Sequence, residues 1–248
     1  MTASTSARSR LDQVLVERGL AASRQQAQAL VRAGLVRVGG QGAERTDQRV
    51  DADADVEVVG RARFVGRGGE KLAGAIEDLG LQVAGHVCLD AGASTGGFTD
   101  ALLQAGATAV YAVDVGYGQL AWGLRQDPRV TVMDRTNIKD LEALPGPTPD
   151  LAVADLSFIS LRSVLPAIGR LLAPGADIVA LFKPQFEVGR GNVGKGGVVR
   201  DVDVRAAALS AFVDWAPDNG FDVLATAPSR IAGAKGNQET FVRLRARG

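Results

Sequence analysis

Four charged residues combine the side-chain types and local contexts that proton transfer or substrate alignment requires. They are Lys71, Asp155 in A-D-L-S-F-I-S, Lys183 in L-F-K-P-Q-F-E and Glu239 in K-G-N-Q-E. The chain uses arginine for most of its positive charge and has only five lysines, so each lysine is informative. A desolvated lysine releases its proton, whereas arginine stays protonated near neutral pH. Taken singly, each of the four also fits an ordinary surface charge.

Two of these residues are expected to meet, because each directly follows an apolar strand. Asp155 follows L-A-V-A and Lys183 follows D-I-V-A-L-F, and Pro184 restricts the backbone of Lys183. In a parallel sheet the carboxyl ends of the strands share one edge, where ligands bind. Three further acidic residues lie at or just past strand ends: Asp90, Asp114 and Asp134. Acidic residues that recur at one sheet edge indicate a ligand site rather than a contribution to stability.

A glycine-rich turn is the second chemical feature, in V-C-L-D-A-G-A-S-T-G-G-F-T at residues 87–99. It predicts a strand, a turn that brings bare backbone against a ligand, and a helix that begins near Phe98. A dinucleotide fingerprint has glycine where Ser94 stands, which disfavours pyrophosphate. Asp90 and Asp114 instead suit a cationic nucleoside without phosphate, namely S-adenosylmethionine. This stretch alone also fits an ordinary strand-to-helix turn.

Apolar runs alternate with helical segments through the rest of the chain, which predicts an α/β fold. After the strand before the turn, strands are predicted at A-V-Y-A-V-D, V-T-V-M-D, L-A-V-A-D, D-I-V-A-L-F, F-D-V-L-A-T and T-F-V-R-L. Helices are predicted at residues 70–79, 120–125 and 161–172 and through Trp215. The order predicts a seven-stranded, mostly parallel sheet covered on both faces, with an antiparallel hairpin at the end. It is the arrangement of Rossmann-like methyltransferases.

Composition excludes several classes of protein. The 248 residues carry 28 basic and 28 acidic side chains, and zero net charge argues against whole-molecule attraction to nucleic acid. One cysteine, Cys88, and one histidine, His86, cannot build a disulfide framework or a Cys/His zinc site, so we expect no metal. No signal-peptide core and no apolar run of about 18 residues is present, so we expect a soluble cytoplasmic protein.

The N-terminal region predicts a small module with a basic side. A capping box at Ser9 and a helix start at Ser23 with Gln26 predict two short helices, followed by a small sheet. Residues 10–40 resemble the RNA-binding module of ribosomal protein S4. The pattern that carries the resemblance is R-L-D-x-x-L-V-x-x-G-L-x-x-S-R-x-x-A-x-x-L-V-x-x-G-x-V-x-V-x-G. The resemblance implies phosphate contacts with folded RNA by Arg10, Arg24, Arg32 and Arg37, and we add Arg67 beyond the module. By composition alone, these arginines also fit a solvated surface.

Four motifs extend a resemblance over the full chain: D-A-G-A-S-T-G-G-F-T, A-D-L-S-F-I-S-L, F-K-P-Q-F-E and S-R-I-A-G-A-K-G-N-Q-E. Together they resemble the FtsJ-type ribose methyltransferases and, with the N-terminal module, the TlyA family of rRNA 2′-O-methyltransferases, some of which carry a haemolysin label. The resemblance implies an α+β RNA-binding domain at residues 1–60, a linker at 61–68 and a Rossmann-like methyltransferase domain at 69–248. Arg230 departs from the family pattern, and we expect it to alter local RNA contacts.

In that family a Lys-Asp-Lys-Glu tetrad is catalytic, and it maps onto Lys71, Asp155, Lys183 and Glu239. In-line attack of a ribose hydroxyl on a sulfonium methyl group needs a proton acceptor and tight alignment. Lys183 is the candidate base or, alternatively, a donor that orients the hydroxyl. Asp155 would orient Lys183, and Lys71 and Glu239 would position the ribose. The sequence leaves the two roles of Lys183 open.

The implied cofactor is S-adenosylmethionine, with the turn at its methionine portion, Asp114 at the ribose hydroxyls and Asp134 at the adenine amino group. The predicted cofactor residues are Asp90, Gly92, Ala93, Ser94, Thr95, Gly96, Gly97, Phe98, Asp114 and Asp134. The implied partner is ribosomal RNA in its subunits, by resemblance at cytidines of the 16S and 23S rRNAs. No membrane and no obligatory protein partner are expected.

Three other functions are alternatives. A membrane-active haemolysin lacks a spanning segment and a strongly basic amphipathic helix in this sequence. A nicotinamide oxidoreductase is disfavoured by Ser94 in the turn. A non-catalytic RNA-binding protein would share the N-terminal module but would not depend on Lys183.

Overall fold

The computed structural model describes residues 8–21, 23–43, 45–51, 53–60, 63–233 and 235–247. Residues 1–7 of the predicted N-terminal domain and residues 61 and 62 of the predicted linker lie outside this part. The chain divides into two compact units, residues 1–66 and 67–248. The elements of the first unit are β1 (Ser9–Arg10), α1 (Leu11–Glu17), α2 (Arg24–Arg32), β2 (Val36–Val38), β3 (Gln41–Gly42), β4 (Arg49–Val50) and β5 (Val56–Val58).

The two helices of the first unit bury the apolar residues that their spacing predicts. Leu11, Val14 and Leu15 of α1 share one cluster with Ala27 and Val31 of α2. β2 pairs antiparallel with β3 and β5, and β1 pairs with β4. Two helices and short strands are therefore arranged around one small core, as the sequence predicts.

One of the two predicted helix caps is wrong. Ser23 caps α2 as predicted, because its side chain accepts a hydrogen bond from the Gln26 N–H. Ser9, however, lies in β1, and the N-cap of α1 is Arg10, which makes no side-chain cap bond. Asp12, three residues after Ser9, binds arginine side chains.

The second unit alternates helices and strands around one sheet. Its elements are α3 (Arg67–Asp78), β6 (Val87–Ala91), α4 (Gly97–Gln104), β7 (Ala109–Val113), α5 (Trp122–Arg125), β8 (Val130–Met133), β9 (Leu151–Ala154), α6 (Leu165–Arg170), β10 (Asp177–Phe182), α7 (Pro184–Glu187), α8 (Val202–Asp218), β11 (Phe221–Pro228) and β12 (Thr240–Ala246). Three short 3-10 helices lie at Ile138–Asp140, Leu161–Ser163 and Arg190–Asn192.

The seven strands are ordered β11-β12-β10-β9-β6-β7-β8, which confirms the predicted α/β fold class. The strands from β10 to β8 in this order are parallel neighbours, whereas β12 runs antiparallel between β10 and β11. The chain moves outward from β6 to β8 and then places β9 on the other side of β6. Such a reversal opens a crevice at the carboxyl ends of the two central strands. The glycine-rich turn after β6 and Asp155 after β9 both border it.

The central strands are buried, which explains their continuous apolar sequence. Every residue of β9 is 1% exposed or less. On one face, Phe182 of β10 meets Phe212 of α8 with ring centroids 5.5 Å apart. Burying one such side chain stabilises the fold by about 2 kcal/mol. This core fixes the strand ends that carry the polar residues.

Two predicted helices have different bounds in the structure. The continuous helix expected at residues 161–172 is interrupted, because a proline lacks an N–H and is best tolerated in the first turn of a helix. Pro166 accordingly stands at the start of α6, after a separate 3-10 turn. The helix expected from Glu70 begins at Arg67, within the residues predicted as linker.

Candidate active site

Lys183 and Asp155 lie side by side because their strands are parallel neighbours. β9 and β10 are parallel, with Ala154 opposite Ala180, so both strands end at the same edge of the sheet. Lys183 Nζ lies 2.5 Å from Asp155 Oδ1 and donates a hydrogen bond to Ser157 Oγ at 3.1 Å. An ammonium group has three N–H donors. One ion pair and one hydrogen bond therefore hold Lys183 among the described residues, so at least one of its N–H groups is available to a ligand.

A second ion pair joins elements that are far apart in sequence. Lys71, in the second turn of α3, places its Nζ 2.5 Å from Oε2 of Glu239, which directly precedes β12. Lys71 is 8% exposed and Glu239 is 3% exposed. Gly233 permits the approach, because a Cβ there would lie 2.5 Å from Glu239 Oε1. Each buried charge is compensated by the other, so removal of one partner would leave an unpaired charge in the interior.

All four residues of the predicted tetrad line one cavity of about 520 Å³. This volume falls within the range of small-molecule and cofactor sites. We refer to this cavity as the substrate cavity. Its charged lining residues are Arg67, Lys71, Lys183 and Lys235 together with Asp155 and Glu239. Four cationic groups against two anionic groups favour a ligand that carries negative charge, such as a phosphodiester.

Two further cavities adjoin the substrate cavity. One of about 590 Å³ extends from Gly92 and Asp114 to the 3-10 helix at Ile138–Asp140, and we refer to it as the cofactor cavity. The other, of about 200 Å³, follows the glycine-rich turn. Asp155 and Ser157 line all three cavities. The ion pair of Lys183 with Asp155 therefore stands where the cavities meet.

The glycines of the turn are required by packing between elements. Gly92 has φ +89°, and a Cβ there would lie 2.7 Å from the backbone oxygen of Asp155. A Cβ at Gly97 would lie 2.8 Å from the backbone nitrogen of Gly69 in α3. Real Cβ atoms do not approach this closely. These glycines therefore allow the turn, the end of β9 and the start of α3 to come together at the cavities.

Most of the predicted cofactor residues line the cavities. Those residues are Gly92, Ala93, Ser94, Thr95, Gly97, Phe98 and Asp114. Asp114 also braces the turn, because its carboxylate accepts hydrogen bonds from the N–H groups of Ser94 at 2.8 Å and Gly116 at 2.6 Å. Ser94 has φ +47°, so the turn holds a non-glycine residue in the left-handed region.

Three predicted cofactor residues do not line these cavities. Gly96 packs beneath the turn, where a Cβ would collide with Leu124. Asp90 is fully buried and accepts a hydrogen bond from Thr99 Oγ1 at 2.6 Å, and burial raises the pKa of its carboxyl group to about 7. Asp134 accepts a hydrogen bond from the Arg125 guanidinium at 2.6 Å, which holds its pKa below the usual value.

The far end of the cofactor cavity is lined by residues that the sequence-based prediction omits, Thr136, Asn137 and Ile138. They directly follow the strand-end segment that contains Asp134. The position after a strand therefore indicates this region of the cavity, although the lining residues are not the strand-end Asp134 itself.

Phe158 is a second residue that the sequence-based prediction omits. It is 91% exposed, borders both larger cavities and packs on Phe186 with ring centroids 5.4 Å apart. Its φ is +66°, a conformation that is unfavourable for a residue with a Cβ. An exposed aromatic ring at a cavity mouth is a surface on which planar groups stack. The available signal was an aromatic residue within a polar strand-end loop, D-L-S-F-I-S.

In the first unit, two of the predicted RNA-binding arginines share a buried acidic partner. Asp12 is fully buried and accepts hydrogen bonds from Arg10 at 3.0 Å and Arg24 at 3.3 Å. These bonds hold the pKa of Asp12 well below its usual range. The other two arginines also have partners, Arg32 with Gln28 and Arg37 with Glu57. The arginines are partly exposed, so they remain accessible to a ligand.

Comparisons with known proteins agree with this arrangement. An FtsJ-like methyltransferase model matches residues 64–246, and an S4 domain model matches residues 9–56. The 16S/23S rRNA (cytidine-2′-O)-methyltransferase TlyA of Mycobacterium tuberculosis is 51% identical over 96% of this chain and 90% of its own length. This chain belongs to the TlyA family of rRNA 2′-O-methyltransferases. The family suggested by the sequence motifs is thereby confirmed.

Relatives of this TlyA-family chain also carry haemolysin names. Hemolysin A of Brachyspira hyodysenteriae is 41% identical over 93% of this chain and 97% of its own length. A solved structure from Streptococcus thermophilus, described as a candidate hemolysin, is 40% identical and has a TM-score of 0.77, covering 98% of this chain and 90% of its own. Among the residues that the structure describes, no helix is both long and apolar enough to cross a membrane.

Arg230, where the TlyA-family chain departs from the expected motif, has a role within the protein. Its guanidinium lies 2.8 Å from Glu77 and 2.6 Å from Asp78, both in α3. Its stem covers Gly74, where a Cβ would lie 2.9 Å away. The expected effect on RNA contacts therefore lacks support, because the side chain ties the segment before β12 to α3.

Proposed function

We propose that this chain transfers a methyl group from S-adenosylmethionine to the 2′-hydroxyl group of a cytidine in ribosomal RNA. The observation that carries the proposal is the junction at Asp155 and Ser157, where a cavity with two Lys-acid pairs adjoins the cavity beside the glycine-rich turn. The names of the curated relatives support the substrate. Such a substrate implies action in the cytoplasm and on ribosomal subunits.

The cofactor cavity fits S-adenosylmethionine in its chemistry. Its wall is mainly apolar, with Val113, Leu156 and Ile138 among the lining residues. It has two carboxylates, Asp114 beside the turn and Asp155 where the cavities meet. The Ser94 N–H is bonded to Asp114, so it is not free to bind a phosphate. When bound, the cofactor supplies an activated methyl group on a sulfonium centre.

Each wall of the cofactor cavity suits a different part of the cofactor. Asp114 would accept the ribose hydroxyls, and the backbone of the turn would contact the methionine portion. The segment from Thr136 to Ile138 would contact the adenine. Asp90 and Asp134 are assigned no direct contact, because neither residue lines the cofactor cavity.

Lys183 orients the attacking hydroxyl. Lys183 lines the substrate cavity and the cavity along the turn, and Asp155 and Ser157 hold the side chain there. The same position suits a hydroxyl that accepts a hydrogen bond from an ammonium group or one that gives its proton to an amine. Tight alignment of this kind supplies much of the rate of a displacement reaction. Lys71 and Glu239 would hold the ribose from the opposite wall.

The substrate cavity also suits a nucleotide that has left the RNA stack. A ribose within a helix cannot reach a buried lysine, so the target nucleotide must be turned out of its stack, as in other enzymes that act on single nucleotides. The exposed ring of Phe158 offers a face for its base. Arg67 and Lys235 would bind the flanking phosphates.

Methyl transfer from radiolabelled S-adenosylmethionine to isolated ribosomal subunits tests the proposal. We expect label in rRNA with the wild type and none with Lys183→Ala, and primer extension at low nucleotide concentration would locate it. Leu224→Ala, at an exposed residue of β11, is the matched control and should retain full transfer. No incorporation into the rRNA of either subunit by the wild type would contradict the proposal.

A further inference from the structure

The loop between Asp155 and Ser160 carries a residue in an unfavourable backbone conformation. Phe158 has φ +66° and its side chain is 91% exposed. The left-handed region destabilises a non-glycine residue because its Cβ approaches the neighbouring carbonyl oxygen. An exposed ring gains little from burial, so contacts elsewhere must hold this conformation.

Glu187, the last residue of α7, makes contacts that hold the loop. Its Oε2 accepts a hydrogen bond from Ser160 Oγ and its Oε1 accepts one from the Leu161 N–H, both at 2.7 Å. These donors stand at the start of the 3-10 helix Leu161–Ser163. A carboxylate is favourable at the N-terminal end of a helical turn, where N–H groups are unpaired. Glu187 thus fastens the loop two residues beyond Phe158.

The same short helix supports Phe158 from the side. Phe186 precedes Glu187 and packs its ring against the Phe158 ring. On the other side of Phe158, Ser157 accepts a hydrogen bond from Lys183, which directly precedes α7. The segment from Lys183 to Glu187 therefore contacts the loop before, at and after Phe158. Its only carboxylate is that of Glu187.

We propose that Glu187 is a positioning residue that holds Phe158 at the mouth of the substrate cavity, where the ring receives the target nucleobase. The proposal rests on the proposed methyl transfer to RNA. Glu187 does not line any of the three cavities, so its effect on the substrate passes through the loop. A purely structural cap would stabilise the loop without any link to the Phe158 ring.

Glu187→Ala removes both acceptors and should free the loop to leave the left-handed conformation. We expect kcat/KM for rRNA to fall about tenfold, while the Kd for S-adenosylmethionine changes less than about twofold. Glu187→Gln keeps one acceptor oxygen and should recover most of the loss. Glu142→Ala, at an exposed glutamate outside this loop and outside α7, should leave kcat/KM unchanged.

A double-mutant cycle with Phe158→Ala decides between a positioning role and a structural one. If Glu187 acts through the ring, Glu187→Ala lowers kcat/KM about tenfold in the wild-type background and less than about twofold when Phe158 is already alanine. Equal losses in both backgrounds would overturn the proposal. If Glu187→Ala does not fold, the smaller loss in Glu187→Gln is tested in the same cycle, by the same criterion. Absence of transfer by the wild type would contradict the proposed function instead.

Discussion

Asp90→Asn should stabilise the protein at alkaline pH, because Asp90 is buried where an ionised carboxylate is unfavourable. The side chain is fully buried in β6 and accepts a hydrogen bond from Thr99 Oγ1, and its other oxygen has no partner among the described residues. Burial, with repulsion from Asp155 and Asp114, raises the pKa to about 7. Asparagine keeps an acceptor for Thr99 and carries no charge.

The magnitude follows from the difference between the folded and unfolded pKa values of Asp90. The pKa is about 7 in the folded protein and has an ordinary value of 3.8 in an unfolded chain. As pH rises from 3.8 towards 7, the unfolded state ionises first, so the stability of the wild type falls. Above pH 7 the loss is constant at about 4 kcal/mol. The introduced amide leaves a buried N–H without an acceptor, which costs about 1–2 kcal/mol. The net gain at pH 8 is therefore about 2 kcal/mol.

Urea unfolding at pH 5 and pH 8 measures this effect, followed by tryptophan fluorescence. Both tryptophans, Trp122 and Trp215, belong to the unit that contains Asp90. The stability of Asp90→Asn relative to the wild type should increase by about 2–3 kcal/mol between the two pH values. Asp214→Asn, at an exposed residue of α8, should show no such change. A difference independent of pH would refute the reasoning, because it would mean that Asp90 does not titrate in this range.

Three further perturbations test other parts of the structure. Gly92→Ala should weaken binding of S-adenosylmethionine in calorimetry at least about tenfold, because the added Cβ meets the end of β9; unchanged affinity would contradict this. Lys71→Met should lower stability in denaturant unfolding by about 3–5 kcal/mol, and adding Glu239→Leu should restore stability but not activity; restored activity would remove the pair from the reaction. Asp12→Asn should destabilise the first unit at pH 7, measured by circular dichroism. Because the folded pKa of Asp12 is depressed, this difference should decrease steadily as pH falls from 3.8 towards the folded pKa. A difference that does not decrease would exclude ionisation as its cause.

The meeting of Asp155 and Lys183 was predictable from sequence, because parallel strands end at one edge and each residue directly follows a strand. The contact of Lys71 with Glu239 was not, because it depends on how α3 lies against a segment 168 positions later. Residue type and local context singled out these two residues together with the first pair, but only the family resemblance implied that all four belong to one site. Local patterns predict elements and their order well, whereas contacts between distant elements depend on the packing of the complete unit.

Strand-end acidic residues show a further limit of prediction from sequence. Side chains alternate between the two faces of a strand, so a position near the end does not reveal whether a carboxylate faces a cavity or a helix. Asp90 faces Thr99 of α4, and Asp134 is paired with Arg125. The glycines of the turn were expected to bring the backbone against a ligand, and in the structure Gly92 and Gly97 allow close approaches within the protein. Their protein partners, Asp155 and Gly69, lie in other elements and could not be inferred locally.

The identity of the methylated nucleoside tests the central claim most directly. Ribosomal subunits would be incubated with S-adenosylmethionine and either the wild type or Lys183→Ala, and the rRNA would then be digested to nucleosides and analysed by mass spectrometry. The site of two Lys-acid pairs beside a cofactor cavity predicts ribose methylation, and the names of the relatives indicate cytidine as the nucleoside. We therefore expect 2′-O-methylcytidine with the wild type and none above background with the variant. A methyl group on a base, or equal 2′-O-methylcytidine with both proteins, would contradict the assignment of this site to ribose methylation.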